Sequence, residues 1–315
     1  MPPVVLVTGV NGFIGSHVVR RLLQDGYAVM GASVEQATAL DIPYRQVDIT
    51  DRAQVEALFG EAEVSAVIHL AALVHNKSKD LSFAVYKRIN AQGSRNVFEC
   101  AQAHGVQRLL FASTVEVYGE TETDVVREDA PKNPKTFYAI SKKMAEDSLF
   151  GMEGSMQRTA MRFAPVYARD FTLNLDKRIY AVRGKWAYYF KDGGYRFHFC
   201  SVNVILDFIS HWLGTPSVQG VFNIADRDAV SARELIGLAK EANPALKILK
   251  LPYAPALAAI WCVEKALRIL GKKDSMLSIY NFKKLFRSAR WDVTALYQAM
   301  PDAPDWNVKN TLYSR

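Results

Sequence analysis

Short apolar runs and longer amphipathic segments alternate along most of the chain. The apolar runs show no strict alternation with polar residues, which predicts strands buried on both faces. These runs cover residues 4–7, 28–32, 44–47, 64–70, 106–112, 158–163 and 221–224. The segments between them place apolar residues at helical spacing and predict helices over residues 13–24, 53–59, 81–103, 136–150 and 231–241. Strands separated by helices predict an α/β fold with a doubly wound, Rossmann-type parallel sheet.

The regular alternation ends near residue 165, which predicts a smaller C-terminal lobe beside the sheet. We assign residues 1–165 to a Rossmann domain to which residues 199–228 return, and residues 166–198 and 229–315 to a substrate-binding lobe. Within that lobe, the apolar stretch 251–270 predicts a lid helix. We favour a helix packed on its own lobe, and peripheral membrane contact is the alternative because basic residues surround it.

Composition places the chain among ordinary globular proteins, with 50% apolar and 23% charged residues. Cys100, Cys200 and Cys262 are far apart and form no C-x-x-C pair. That pattern fits a reducing compartment and argues against a metal site or a disulfide framework. With no recognisable signal peptide and no run of 18 apolar residues, we expect a cytoplasmic protein.

The positive charge of the chain is concentrated in one stretch. The formal net charge is +7, and residues 247–290 hold ten Lys or Arg against Glu264 and Asp274, a balance of +8. A solvated basic face explains this, and attraction for a phosphorylated substrate or an anionic membrane is the functional alternative. We find no nucleic-acid-binding motif and expect no nucleic-acid partner.

Three glycines interrupt the first strand-to-helix junction. Gly9, Gly12 and Gly15 follow the apolar run 4–7 and open the helix of residues 13–24. Because glycine lacks Cβ, the backbone of such a turn can approach a phosphate closely, and the helix N-terminus offers N–H groups and a positive dipole end. The spacing is G-x-x-G-x-x-G, which differs from the usual G-x-G-x-x-G. At this junction the glycines predict a dinucleotide-binding turn.

Tyr138 and Lys142 lie four residues apart on a predicted helix and therefore share a face. A nearby ammonium group favours the phenolate form of a tyrosine, whose pKa is otherwise near 10. We predict that Tyr138 takes the proton from a substrate hydroxyl as hydride leaves for a nicotinamide.

Several segments, in order, resemble those of the extended short-chain dehydrogenase/reductase family, also called the NAD-dependent epimerase/dehydratase family. They are residues 8–15, 48–49, 69–72, Asn90 with Gly93 and Asn96, 113–119 and the Y-x-x-x-K signature of 138–142. The resemblance is dense over residues 1–165 and loose beyond them. It implies a set of residues that bind the cofactor. These are Gly9, Asn11, Gly12, Phe13, Ile14, Gly15, Ser33, Asp48, Ile49, Leu70, Ala71, Ala72, Asn90, Tyr138 and Lys142.

The resemblance also implies the roles of the catalytic residues. Thr114 would orient the reacting oxygen, and Lys142 would hold the ribose in addition to assisting Tyr138. Glu116 resembles the glutamate that removes a ring proton in family dehydratases and decarboxylases. A similar glutamate occurs in 3β-hydroxysteroid dehydrogenase-like members without that role, and Val115 stands where one dehydratase class has Asp. Glu116 is therefore either catalytic or structural.

The second strand bears on the choice between NAD and NADP. An acidic residue at its end binds the ribose diol, and an arginine accepts the 2′-phosphate. The aligned position is Ser33, with Glu35 two residues later and no Lys or Arg between Arg21 and Arg45. We predict NAD, and NADP stays open because Arg45 could reach the site from a neighbouring loop.

The resemblance implies oxidation of a secondary alcohol on a nucleotide-sugar substrate, by an epimerase or a dehydratase. Pro165 and Ala168 replace the family's Asn and Gly after the sixth strand, and Arg196 is one place out of register for a diphosphate contact. The alternative is therefore a dehydrogenase of a hydroxysteroid-like or other apolar alcohol. A cofactor-binding sensor or scaffold is the non-enzymatic alternative. The resemblance further implies a homodimer formed through helices 81–103 and 136–150.

Overall fold

A computed structural model of the chain describes residues 4–74, 81–121, 123–269, 279, 282 and 290–313. Its strands are β1 (Val4–Thr8), β2 (Ala28–Ser33), β3 (Tyr44–Gln46), β4 (Val64–His69), β5 (Arg108–Thr114), β6 (Val125–Val126), β7 (Gln157–Phe163), β8 (Val166–Tyr167), β9 (Tyr180–Val182), β10 (Trp186–Phe190), β11 (Arg196–Phe197), β12 (Cys200–Ser201), β13 (Gly220–Ile224), β14 (Val230–Ser231), β15 (Lys247–Leu251) and β16 (Arg290–Trp291).

The helices are α1 (Phe13–Gln24), α2 (Arg52–Gly60), α3 (Phe83–Tyr86), α4 (Ser94–Ala103), α5 (Phe137–Gly151), α6 (Leu173–Ile179), α7 (Val202–Gly214), α8 (Ala232–Ala242), α9 (Tyr253–Ile269), α10 (Thr294–Ala299) and α11 (Val308–Leu312). A π-helical segment, Lys87–Gly93, joins α3 to α4, and a 3₁₀ turn, Val115–Tyr118, follows β5.

Seven parallel strands form the central sheet in the order β13-β7-β5-β4-β1-β2-β3. All seven strands predicted from the apolar runs lie in it. The chain begins in the middle of the sheet, proceeds to one edge through β2 and β3, and then crosses back to β4. The strand order therefore reverses beside β1, and in doubly wound folds a ligand binds at the carboxyl edge of such a switch point.

Helices cover both faces of the sheet, as the lack of alternation in the strands predicted. On one face, Val18 of α1 packs in the same apolar cluster as Trp212 of α7. On the other face, Leu58 of α2, Phe98 of α4 and Leu149 of α5 form the second cluster. The inner strands therefore bury apolar side chains in both directions, which confirms the predicted Rossmann-type fold.

The helix predicted over residues 81–103 is divided into three pieces. The middle piece is the π-helical segment, which buries Asn90, Ala91 and Gly93. Gly93 lies so close to Ile49 that an added Cβ would be 2.8 Å from its Cγ1. Single π-turns of this kind are frequent at functional sites, because they reorient side chains that a regular helix would place elsewhere.

A third apolar cluster lies outside the central sheet. It joins α6, α8 and β10 through side chains such as Leu175, Ala187 and Leu235, with Phe197 and Phe199 from the segment before α7. Strand β10 pairs with β15 and β9 in a separate three-stranded sheet. The division of the chain into two domains at the predicted boundaries stays a prediction.

Candidate active site

The turn after β1 can only be made by glycine at two positions. Gly9 has φ +74°, a conformation that favours glycine. A Cβ on Gly15 would lie 2.1 Å from the carbonyl oxygen of Gly9, so α1 starts in direct contact with the turn. Gly12 is the N-cap residue of α1 and provides no side-chain cap. Open N–H groups at a helix N-terminus, without a side chain in front of them, fit the pyrophosphate of a dinucleotide.

The loop after β4 lies against this turn. A Cβ on Gly9 would be 2.7 Å from the backbone nitrogen of Ala71, and that nitrogen donates a hydrogen bond to Thr8 Oγ1 at 3.3 Å. The hydroxyl of Thr8 also lies 2.6 Å from Nδ1 of His69, whose Nε2 lies 2.8 Å from Ser94 Oγ. Burial lowers the pKa of His69 to about 3, and the charge of Lys142 contributes, so the ring is neutral. The predicted residues Leu70, Ala71 and Ala72 are thus held beside the glycine turn.

Asn90 is bonded within the protein, and the cofactor contact that the resemblance implied stays a prediction. Its side chain is fully buried, and its amide bonds to both backbone groups of Leu73 at 2.8 and 2.9 Å and to Ser141 Oγ at 3.0 Å. The hydroxyl of Ser141 in turn donates to the carbonyl oxygen of Tyr138 at 2.7 Å. Asn90 therefore stands behind the cleft, where it ties the loop after β4 to the first turn of α5.

The acidic side chain of Glu35 lies at the end of β2, although Glu35 comes two residues after Ser33, the aligned position. The hydroxyl of Ser33 donates to Glu35, and Asn11 Nδ2 donates to the same carboxylate at 3.3 Å. The hydrogen bond from Ser33 is the main reason that the pKa of Glu35 is lowered, so this carboxylate stays charged. Arg45 instead pairs with Glu61 at 2.8 Å. The side chains at this end of β2 thus fit a ribose diol better than a 2′-phosphate.

Four other predicted cofactor residues lie around the same edge. Phe13 stacks on Phe171 with ring centroids 4.6 Å apart. Ile14 is half-buried and packs against the apolar cluster on the side of the sheet that α1 covers. After β3, Asp48 is exposed and accepts a hydrogen bond from the backbone of Thr50 at 2.9 Å. Ile49 is buried, and its carbonyl oxygen accepts from Asn96 Nδ2 at 2.9 Å.

Thr114, Glu116 and Tyr138 meet where β5 ends and α5 begins. Thr114 Oγ1 accepts the N–H of Glu116 at 3.2 Å and starts the 3₁₀ turn. Glu116 is exposed, and its Oε2 accepts from Thr136 Oγ1 at 3.3 Å. Thr136 is the N-cap of α5, where its hydroxyl also accepts the N–H of Ala139. Burial raises the pKa of Tyr138, and the charge of Glu116 raises it further, so Glu116 belongs to this cluster.

Lys142 lies one turn after Tyr138, almost completely buried, with its Nζ 4.1 Å from the centre of the Phe111 ring. Burial lowers the pKa of this lysine to about 7, although the carboxylate of Glu146 opposes the shift. Burial therefore changes the two pKa values more than the stabilising effect that we expected between the ammonium group of Lys142 and the phenol of Tyr138. It favours the neutral phenol of Tyr138, and the phenolate that we expected beside a lysine ammonium group and a nicotinamide stays a prediction.

Beneath the cluster lies a buried ion pair that the sequence did not reveal. Glu146 of α5 binds Arg162 of β7 through both carboxylate oxygens, and it also accepts the hydroxyl of Ser113. Nη1 of Arg162 also donates a hydrogen bond to the hydroxyl of Tyr118 at 2.8 Å, and that hydroxyl donates to Oδ1 of Asn223 at 2.6 Å. The only sequence signal was the position of Glu146 one turn after Lys142.

Three arginines border a cavity of about 200 Å³ that opens near the carboxyl edge of the sheet. Arg227 follows the end of β13, Arg196 lies in β11, and Arg290 lies in β16. His198 and Trp291 also line the cavity, and the backbone N–H of Trp291 donates to His198 Nδ1 at 3.0 Å. Asp228 and Asp292 line the same cavity, so its three arginines exceed its acidic residues by one, and guanidinium groups of this kind can bind an anionic group such as a phosphate. Among the described residues, no cluster of three His, Cys, Asp or Glu side chains is placed to hold a metal ion.

Comparisons with known proteins agree with this geometry. The family model of the NAD dependent epimerase/dehydratase family matches residues 5–225. UDP-glucose 4-epimerase of Bacillus subtilis (strain 168) is 33% identical over 160 residues, an alignment that covers 46% of each chain. The match thus spans about half the length of this curated relative.

Two solved structures resemble the chain over a greater length. UDP-glucose 4-epimerase of Thermus thermophilus, in complex with NAD, has a TM-score of 0.65 and 26% identity, and the match covers 80% of this chain and 87% of that chain. The Thermotoga maritima UDP-glucose 4-epimerase with UDP-glucose has a TM-score of 0.73 and 22% identity, over 98% and 96% of the two chains. NAD is the cofactor of the family, in agreement with the prediction. With more than two thirds of its length matched by the family model, this chain belongs to the NAD dependent epimerase/dehydratase family.

Proposed function

We propose that this protein is an NAD-dependent epimerase or dehydratase that oxidises a secondary hydroxyl group of a nucleotide-sugar. The observation that carries the proposal is the cluster of Thr114, Glu116 and Tyr138, with Lys142 one turn away, at the same sheet edge as the glycine turn. A hydroxyl, a phenol and an amine in this arrangement can orient an alcohol and accept its proton.

The residues of the chain have separate tasks in this reaction. When NAD is bound, its nicotinamide accepts the hydride, and the positive charge of the oxidised ring favours the phenolate of Tyr138. Thr114 donates a hydrogen bond to the reacting oxygen and fixes its position. Tyr138 takes the proton of the hydroxyl group during oxidation and, as a neutral phenol, returns one to the oxygen of the ketone during reduction. Lys142, with a pKa of about 7, exists in both protonation states near neutral pH and can supply that proton.

Glu116 provides a carboxylate for a second chemical step. It is exposed in the same cluster, and Thr136 orients it by donating to Oε2 at 3.3 Å. Oxidation to a ketone acidifies the neighbouring C–H bond, and a carboxylate placed beside it can then remove that proton. A dehydratase needs this step, whereas a 4-epimerase needs only the return of hydride to the opposite face. Glu116 is therefore the residue that distinguishes the two outcomes.

The arginine-lined cavity supports the nucleotide part of the substrate. Arg196, Arg227 and Arg290 line this cavity together with two aspartates, and guanidinium groups can bind the diphosphate of a nucleotide-sugar. The relatives from B. subtilis and T. thermophilus are UDP-glucose 4-epimerases, and the T. maritima structure contains UDP-glucose. These names suggest a UDP-sugar as the first substrate to test.

The test begins with the purified protein. Mass spectrometry of small molecules released by heat identifies the bound nicotinamide, and incubation with UDP-glucose and related UDP-sugars is followed by NMR of the sugar protons. We expect NAD in the released fraction and a new sugar nucleotide without net accumulation of reduced nicotinamide. Stoichiometric reduction of added NAD with an apolar alcohol, and no reaction of any UDP-sugar, would instead establish the dehydrogenase. Glu116→Gln should abolish elimination and leave epimerisation largely intact.

A further inference from the structure

Helix α9 turns an apolar side to the solvent. None of its side chains between residues 253 and 267 is buried, although most of them are apolar. The exposed side chains include Ala258, Ala259, Trp261, Cys262, Val263 and Ala266, and over this part of the helix Lys265 is the one exposed charged residue. The outer face of a surface helix is normally polar, whereas α9 is apolar both on this face and on its half-buried side, which carries Leu257, Ile260 and Leu267.

The exposure involves large side chains and not only alanines. Trp261 is 49% exposed and Val263 is 39% exposed. Within the described part of the chain, no other helix or strand packs extensively against α9, and its clearest contact is the stack of Tyr253 on Phe282, with centroids 5.5 Å apart. Single apolar residues on a surface are ordinary, but a whole helical face marks an interaction site.

Basic residues are frequent in α9 and in the segments next to it along the chain. Strand β15 precedes α9 directly and exposes Lys247, Ile248, Leu249 and Lys250. Lys265 lies over the ring of Trp261, with its Nζ 4.5 Å from the centroid. The sequence from 247 to 290 carries ten basic and two acidic residues, a balance of +8, while the whole chain has a net charge of +7. Nearly all of the excess positive charge is therefore in the segment that holds the apolar helix.

We propose that α9 and β15 form a docking surface for an anionic lipid bilayer, with α9 lying in the plane of the lipid headgroups. An apolar face with tryptophan enters the boundary of the acyl chains, and lysines beside it contact the lipid phosphates while their stems stay in the apolar layer. In the described residues no helix combines the length and apolarity that crossing a bilayer requires, so the contact is peripheral.

The charge also argues against a second copy of the chain as the occupant. A two-fold interface through α9 would bring the same lysines of both copies together, and like charges at an interface repel each other. An anionic bilayer instead neutralises them. Lys247 and Lys250 before α9, and Lys265 within it, therefore favour a lipid surface as the occupant.

Vesicle binding of the full chain tests the proposal. The protein is centrifuged with vesicles of phosphatidylcholine, or of phosphatidylcholine mixed with phosphatidylglycerol, at low and high salt. We expect binding to the anionic vesicles only, and weaker binding at high salt because ions screen the lysines. The double variant Trp261→Asp/Val263→Asp should lose at least tenfold in the partition coefficient. Leu23→Asp, on the exposed side of α1 and 42% exposed in the parent, is the matched control and should bind like the parent.

A second pair of variants tests the charge. Lys247→Glu/Lys250→Glu should weaken binding to anionic vesicles, whereas Arg20→Glu, an exposed change on α1, should not. Circular dichroism and retained NAD affinity show that each variant is folded. Equal binding of the α9 variant and the parent, or equal binding to neutral and anionic vesicles, would refute the proposal. A dimer that the α9 variant disperses, with no vesicle binding, would assign the face to a second copy and refute it as well.

Discussion

Glu146 of α5 and Arg162 of β7 form a two-pronged ion pair that is closed to solvent. Nη2 of Arg162 lies 2.7 Å from Oε2 of Glu146, and Nε lies 3.0 Å from Oε1. Glu146 also follows Lys142 by one helical turn, and its charge opposes the lowering of the lysine pKa by burial. The pair therefore connects the charge state of Lys142, to which we assign a role in catalysis, to the interior of the sheet.

Glu146→Gln should change both stability and the pH dependence of activity. The substitution leaves the guanidinium of Arg162 buried without its counter-charge, and we expect a loss of about 3–5 kcal/mol in the free energy of unfolding. It also removes the charge that raises the pKa of Lys142, so the pH profile of turnover should shift toward lower pH. Urea denaturation and a pH–rate profile measure the two effects. Glu61→Gln, which affects only the exposed ion pair with Arg45, should cost less than about 1 kcal/mol. If Glu146→Gln had the unfolding free energy of the parent, the ion pair with Arg162 would not contribute to stability.

Gly15→Ala should disrupt the turn that receives the cofactor. The new Cβ would lie 2.1 Å from the carbonyl oxygen of Gly9, so the turn must open. We expect a loss of at least about 1–3 kcal/mol in stability and a strong loss of NAD affinity, measured by calorimetry. Gly237→Ala, in α8, is the control, because nothing lies within 4 Å of the added methyl group. It should stabilise the protein by up to about 1 kcal/mol and leave NAD binding unchanged.

Tyr138→Phe should separate catalysis from cofactor binding. The change removes the group that exchanges a proton with the substrate, and a loss of about 10²–10⁴-fold in turnover is expected. NAD affinity should change little, because the glycine turn is untouched. Tyr313→Phe alters an exposed residue near the C-terminus and should retain parental activity. Turnover by Tyr138→Phe close to the parental rate would exclude Tyr138 as the proton-transferring group.

Glu35→Gln should weaken the preference for NAD over NADP. The carboxylate stays charged because the Ser33 hydroxyl lowers its pKa, and this charge repels a 2′-phosphate. Without it, the ratio of the two dissociation constants should shift toward NADP by roughly tenfold, or ~1.4 kcal/mol. Fluorescence titration with both dinucleotides measures the ratio. Glu56→Gln, an exposed carboxylate on α2, should not change it, and an unchanged ratio in Glu35→Gln would place the ribose elsewhere.

Asp226→Asn should remove part of the dependence of stability on pH. Burial raises the pKa of this carboxyl group to about 7, against the hydrogen bonds from Ser201 and Tyr167. Between pH 3.8 and about pH 7 the folded state therefore holds a proton that the unfolded state has released. Stability consequently falls as the pH rises through this window, by as much as about 4 kcal/mol.

The asparagine variant cannot release this proton, so the difference in unfolding free energy between variant and parent should grow from pH 4 to pH 7 in favour of the variant. Urea denaturation at a series of pH values measures that difference. Asp302→Asn changes an exposed carboxylate that does not act on Asp226 and should give a nearly constant difference. A constant difference for Asp226→Asn as well would show that Asp226 is ionised throughout.

The order of the elements could be predicted because its signals are local. The runs at residues 4–7 and 28–32 became the neighbouring strands β1 and β2, and the glycines between them open α1 as expected. Spacing also placed Tyr138 and Lys142 on one side of α5, since a helix repeats every 3.6 residues.

The π-helical segment around Asn90 could not be predicted from such local signals. A regular helix and a π-turn have the same apolar pattern over a few residues, and the π-turn forms here because α5 and the loop at Leu73 surround it. The same holds for the end of β2. Tyr44, on the neighbouring strand, donates to the carbonyl oxygen of Glu35, and Asn11 donates to its carboxylate, so contacts between separate segments bring this side chain to the position that an alignment assigns to Ser33.

The sequence by itself determined the α/β fold, the glycine turn and the residue types of the catalytic cluster, because strand burial, helical spacing and turn geometry depend on neighbouring residues. Only the tertiary structure decided which charges are buried and what faces them. It paired Glu146 with Arg162, turned Arg45 to Glu61, and buried Tyr138 and Lys142, so that the pKa of the phenol is raised and the pKa of the lysine falls to about 7. Desolvation depends on all the atoms packed around a group, and those atoms come from segments far apart in the chain.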